Sequence, residues 1–262
     1  MFELFSLLIL SHVLADFPFQ FDFISSGKRE NKLYLWFHIL IHFIFSVLLT
    51  LSYFSFQLLM GLLLLSLIHG VIDTGKIYIQ KYLSKEDNKE SRYFLELFIV
   101  DQLLHIAVIG WFVSIVQGFD FFSVGKGLLE NLLSILPFVS IDFIIQLNEA
   151  AVILAFAVLI FSFKGGTIIV RALLHKYNTE ISGQGDKGMA IGNLERLLII
   201  FFVIFGTYSL IGFVFTAKSV IRFRGVNEQP EPDFIEYYLI GSFSSIFLGL
   251  IFGFAVRYLV FV

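Results

Sequence analysis

The stretch LYLWFHILIHFIFSVLLTLSYF (residues 33–54) carries no charged side chain, and its most polar groups are two histidines four residues apart. A run of roughly 20 mostly apolar residues is long enough to cross a bilayer as a helix. Residues i and i+4 lie one above the other on the same helix face. His38 and His42 therefore point the same way from a segment whose composition places it in hydrocarbon, where polar side chains are rare and usually functional.

Similar stretches lie at about 2–23, 57–80, 93–117, 144–163, 197–217 and 237–262. The expected fold is an all-α polytopic membrane bundle of about seven transmembrane helices. The composition agrees: 58% of the 262 residues are hydrophobic and only 15% are charged, where a soluble domain is about 25% charged. The net charge of −3 gives no footprint for a nucleic-acid partner. The chain has no cysteine, which excludes disulfides, thiolate ligands and a cysteine nucleophile. The first stretch is expected to be a retained span, not a cleavable signal peptide, because it lacks a basic leader and a small-residue cleavage site and carries Asp16. Pro18 lies inside it, and the expectation is a kinked helix with the carbonyl near Leu14 set free.

Three further pairs repeat the spacing of His38/His42, namely His12/Asp16, His69/Asp73 and Asp101/His105. The chain has six histidines, and five belong to these four pairs. The loop charges allow the depths of the pairs to be compared. Lys28, Arg29 and Lys32 follow the first span, Lys81, Lys85, Lys89 and Arg92 follow the third, and Lys164, Arg171, Lys176, Lys187 and Arg196 follow the fifth. The positive-inside rule then puts the N-terminus outside and these three connections in the cytoplasm. Lys218, Arg222 and Arg224 after span six dissent, so either the bias is broken there or span six does not cross fully. In this topology all four pairs fall in the cytoplasmic half of the bilayer, within about two helical turns of one another.

The domain organisation expected is a four-helix bundle with the His/Asp cluster over 1–117, a loop with a short amphipathic surface segment over 118–143, and a three-helix region over 144–262.

The segments LSHVLADFPFQ (10–20), HILIH (38–42), HGVIDTGK (69–76) and DQLLH (101–105) resemble those of a bacterial membrane family catalogued as domain of unknown function 3307. NLER (193–196), KSVIRF (218–223) and EYYLIGS (236–242) resemble it too, so the resemblance extends over nearly the whole chain. It implies an integral membrane protein and implies no reaction; the expected location is the bacterial inner membrane.

The pairs are the only route to chemistry. Imidazole and carboxylate suit Zn²⁺, Mn²⁺ or Fe²⁺, and the lack of thiolate and thioether disfavours Cu⁺. His12, Asp16, His38, His42, His69, Asp73, Asp101 and His105 would hold one or two divalent ions, with some aspartates orienting histidines from behind. Carboxylate–histidine bundles with di-iron centres are an analogy in geometry alone. The competing readings are a metal-free hydrogen-bond or proton-relay cluster and a packing accident.

Gln20, Lys76 and Gln102 flank the layer and would orient ligands or hold a substrate oxygen, or else cap and snorkel. Glu195 and Arg196, which open span six, are further candidates to orient ligands or meet a substrate, and Lys218 and Arg222, four apart on one face, are an interfacial basic pair for a lipid phosphate, with simple anchoring as the alternative. The soluble hydrolase and zincin motifs G-x-S-x-G and H-E-x-x-H are missing. Three functions follow: a membrane metal-dependent hydrolase of a lipid-like or amphiphilic substrate, a transporter or ion or proton conduit, and a structural membrane subunit.

Overall fold

The computed structural model describes residues 2–84, 93–116, 148–177, 186–224 and 232–261, and all of its regular structure there is helical. The helices are α1 (Phe2–Asp16), α2 (Asp22–Gly27), α3 (Lys32–Leu49), α4 (Phe56–Ser84), α5 (Phe94–Val116), α6 (Glu149–Tyr177), α7 (Asp186–Ile204), α8 (Ser209–Arg224) and α9 (Pro232–Phe261), with a 3₁₀ turn at Leu51–Tyr53. Helix starts carry local signatures. Asn31 Oδ1 accepts from Leu33 N, Ser55 Oγ from Leu58 N and Asn148 Oδ1 from Ala150 N, each satisfying a backbone donor the helix leaves unpaired.

Five helices among the described residues are long and apolar enough to cross a membrane: α3, α4, α5, α6 over Glu149–Leu174 and α9 over Tyr238–Phe261. Large apolar side chains such as Trp36, Phe37, Phe56, Val71 and Phe247 lie on the outside, as a lipid-facing surface requires. The chain is a multi-pass membrane protein by these features.

The other two apolar stretches are each interrupted, which corrects the expectation of one continuous helix apiece. Over 2–23, α1 stops at Asp16 after 15 residues, and α2 begins only at Asp22. Pro18 has no N–H and breaks the helix instead of kinking it. The carbonyl of Leu14 is not set free, because Phe19 N donates to it at 3.1 Å. Over 197–217, α7 ends at Ile204 and α8 starts at Ser209. Gly206 sits there at φ 71°, in the left-handed region that glycine enters without strain. Arg257 Nη1 donates to the carbonyls of Val203 and Ile204, satisfying the broken end.

Much of the expected connection 164–196 is also helical. α6 continues through Lys164, Gly165 and Gly166 to Tyr177, and α7 begins at Asp186. Lys and Arg are good helix formers, so the edge of an apolar run need not end a helix. The surface segment expected over 118–143 lies outside the described residues.

The chain divides into two compact units, one holding α1–α4, α5 from Glu96 on and α6 as far as Ala157, the other the start of α5 and the helices from Val158 on. In the first unit α3 packs against α1, α2 and α4. A Cβ on Gly70 of α4 would collide with the Ile39 side chain of α3, so the glycine permits the close approach of those two helices. Ser11 and Ser46 Oγ atoms, 3.0 Å apart, tie α1 to α3. In the second unit α7 packs against α9, where Gly249 and Gly253 face Ile199 and Val203 in a small-xxx-small arrangement.

Candidate metal centre

All eight paired residues of the first unit converge. Because the pairs are spaced by four on α1, α3, α4 and α5, each helix projects both of its groups inward, and the seven other than Asp16 are buried. Asp16, the last residue of α1, is intermediate in exposure and sits at the middle. Its Oδ1 lies 2.9 Å from His42 Nε2, 3.1 Å from His38 Nε2 and 3.8 Å from His69 Nε2. His38 Nε2 is also 3.2 Å from both His42 Nε2 and His69 Nε2.

These separations decide what the cluster can hold. A ring nitrogen offers one in-plane position, filled by a proton or by a lone pair. His38 Nε2 has three neighbours within 3.2 Å, so at most one of those contacts is a hydrogen bond at that atom. A central ion would instead take a lone pair from each nitrogen and from the carboxylate. Tetrahedral ligands at about 2.0–2.1 Å stand roughly 3.3–3.4 Å apart, and the recorded separations among Asp16 Oδ1, His38, His42 and His69 run from 2.9 to 3.8 Å. The donor set therefore fits a divalent ion both in geometry and in ligand type.

The rest of the layer surrounds this set. Asp73 Oδ2 is 3.5 Å from His38 Nε2 and 2.7 Å from Lys28 Nζ. Asp101 Oδ2 accepts from Lys76 Nζ at 2.7 Å and from Gln102 Nε2 at 3.2 Å. Gln102 also reaches Asp16 Oδ2 and His12 Nε2, both at 3.4 Å. Of the flanking residues, Gln102 and Lys76 thus bond directly to cluster side chains. With its amide turned to suit its neighbours, Gln20 donates to the Asp16 carbonyl at 3.2 Å and accepts from Lys28 Nζ at 2.5 Å. Among the described residues, His38 Nδ1 has no hydrogen-bond partner, so no aspartate orients that ring from behind.

A cavity of about 20 Å³, enough for one water, is lined by His12, His42, His69, His105, Ser46 and Ser66 together with apolar side chains. It leaves room for one water beside the imidazole layer.

Sequence reading missed Lys28, taken only as a loop charge. It lies one residue past α2, and its side chain is 7% exposed while it pairs with Asp73. The break at Pro18 is what turns α2 back toward the cluster, and a continuous span would hide that signal. Ser46 was legible, since it extends the His38/His42 face by one more turn.

Glu195, Arg196 and Lys218 belong to the second unit. Lys218 Nζ pairs with Glu195 Oε2 at 2.7 Å, which leaves its charge partly neutralised. Arg196 is buried and donates to Ser162 O, Phe163 O, Ser245 Oγ, Thr167 Oγ1 and Asn193 Oδ1. Its role there is to hold α6, α7 and α9 together. The side chain of Arg222 lies outside the described residues.

Residues 4–124, which contain every residue of the cluster, match the model of the family described as Protein of unknown function (DUF3307). The later segments that resemble it, from 193 on, lie outside the matched stretch. No curated protein and no solved structure matches the chain.

Proposed function

We propose that this is an integral membrane metalloprotein that holds a divalent transition metal, Zn²⁺, Mn²⁺ or Fe²⁺, on Asp16, His38, His42 and His69, and that it hydrolyses an amphiphilic or lipid-like substrate. The observation that carries the reading is the meeting of three Nε2 atoms and one carboxylate oxygen at ligand spacing. A bound ion would supply Lewis acidity and an acidified water. The chain's own residues supply the rest: the cavity beside His42 and His69 has room for that water, and Gln102 and Lys76 hold the flanking carboxylates in place. The substrate would enter laterally from the cytoplasmic leaflet of a bacterial inner membrane, with the N-terminus outside, in keeping with the loop charges.

The test is metal analysis of detergent-purified full-length protein against His38→Ala/His42→Ala, followed by product analysis in phosphatidylethanolamine–phosphatidylglycerol vesicles. Retained metal and lipid cleavage in the wild type, both lost in the variant, are the expected results. A wild type that takes up no Zn²⁺, Mn²⁺ or Fe²⁺ would leave a metal-free polar network in its place. Metal without turnover would favour transport, a reading that the broken segment at Pro18 supports, since α1 ends there at the cluster residue Asp16 and discontinuous helices characterise transporter sites. Uptake of Mn²⁺ or Zn²⁺ into proteoliposomes separates the two.

A further inference from the structure

We propose that a second divalent transition metal binds beside the first, with Asp16 bridging the two, so that the centre is dinuclear. The inference rests on the single-ion reading above and adds a second site to it.

The two oxygens of Asp16 face different histidines. Oδ1 is surrounded by His38, His42 and His69, while Oδ2 lies 3.6 Å from His12 Nε2. His12, Asp16 and His105 each offer a donor atom within 4.8 Å of the others. The rings of His12 and His105 have centroids 4.9 Å apart, and His105 packs on His69 at 4.1 Å, so the two imidazole sets are adjacent.

His105 is the second, independent observation. It is 3% exposed, and among the described residues neither of its ring nitrogens has a hydrogen-bond partner. A buried neutral imidazole with both nitrogens idle is costly. Asp101 Oδ1 is likewise buried without a partner, 3.9 Å from His105 Nδ1. A small closure of that gap makes the Nδ1–H···carboxylate bond that commonly orients a metal-bound histidine. Nε2 of the same ring is then free to coordinate. One ion would use the idle nitrogen of His105, and the ring's own carboxylate partner stands behind it.

A competing grouping of His69, Asp73 and His105 is geometrically possible. It is disfavoured because His69 Nε2 already faces the first set and Lys28 holds Asp73 Oδ2 at 2.7 Å. The set of Asp16, His12 and His105 supplies three protein ligands and keeps a coordination position open, as reactive sites do. The cavity touching His12, His105, His42 and His69 adjoins both sets. Paired ions that share a carboxylate stand about 3.5–4 Å apart and clamp both oxygens of a displacement. That arrangement suits a phosphate or carboxylate ester.

The test uses the full chain in detergent, stripped with chelator and titrated with Mn²⁺ alone. Stoichiometry is read by elemental analysis and spin coupling by low-temperature EPR. Wild type should bind about two ions per chain with an exchange-coupled spectrum. His105→Ala and the volume-conserving His105→Gln should bind about one, with the coupling gone. Asp16→Asn should abolish the coupling. Wild type that binds a single uncoupled ion, unchanged in the His105 variants, overturns the second site and leaves the first standing. Wild type that binds none overturns both. The wild-type spectrum decides the matter even where a variant fails to fold.

Discussion

The Nε2 atoms of His38 and His69, on neighbouring helices α3 and α4, lie 3.2 Å apart, with both residues buried. Two neutral imidazoles can share one proton at that distance, but His42 Nε2 and Asp16 Oδ1 press on the same atom of His38. An ion relieves all of these contacts at once. Chelation should therefore lower the melting temperature of the purified protein. Zn²⁺ or Mn²⁺ at 100 times its dissociation constant should restore about 2.7 kcal/mol. Thermal denaturation in detergent should show no such response in His38→Ala/His42→Ala. A wild-type curve indifferent to chelator and metal would count against the site.

Lys28 and Asp73 form an ion pair with both side chains nearly buried, at 7% and 9% exposure. Breaking a buried pair by removing one partner leaves an uncompensated charge and costs roughly 3–5 kcal/mol. Lys28→Met should destabilise by about that amount, and Lys28→Met/Asp73→Asn should recover a large part of it. Unfolding of the four species of the double-mutant cycle measures the coupling. Additive effects would show that the pair contributes nothing specific.

The i,i+4 pairs were legible because helix periodicity and apolar flanks decide both the secondary structure and the direction of each side chain. His12, His38, His69 and His105 meet as that argument expects. What the sequence concealed follows from backbone events. Hydropathy averages over Pro18 and Gly206, so it reads 2–23 and 197–217 as unbroken spans. The structure ends α1 at Asp16 and α7 at Ile204, where a missing donor and a left-handed glycine redirect the chain. Lys28 and Arg196 were read as loop charges for a related reason. Their burial depends on α2 folding back and on α6 extending past Lys164, neither of which an apolar window registers.

Orientation is testable against a clean background, since the chain has no native cysteine. The basic connections predict that Glu30→Cys is protected from a membrane-impermeant thiol reagent in intact cells and labelled after lysis. Ser55→Cys, in the uncharged turn before α4, should show the reverse. Labelling of Glu30→Cys from outside would invert the topology and move the site to the other leaflet.

Gly70 follows His69 directly and faces Ile39, the residue after His38. Gly70→Ala forces α3 and α4 apart and should cost about 1–3 kcal/mol, as overpacking does. It should also weaken metal binding, because His38 and His69 lie on opposite sides of that contact. Shortening the obstruction with Ile39→Val should restore stability and affinity together. Isothermal titration with Mn²⁺ and thermal melts check the two effects. A Gly70→Ala protein as stable as wild type would mean that the Ile39 side chain moves aside and the glycine is not required there.

Arg196 lies buried among neutral acceptors, and its flat guanidinium reaches backbone carbonyls of α6 and side chains of Asn193, Thr167 and Ser245 in different directions. A lysine is a point charge on a flexible stem and cannot match that fan. Arg196→Lys should therefore destabilise the second unit nearly as much as Arg196→Met. Each lost hydrogen bond to a charged group is worth roughly 1.5–3 kcal/mol, so the net loss should exceed about 2 kcal/mol. The readout is resistance to thermal unfolding in detergent. Metal content, set by the first unit, should stay unchanged. If Arg196→Lys were as resistant as wild type, charge alone would suffice and the planar geometry would carry no weight.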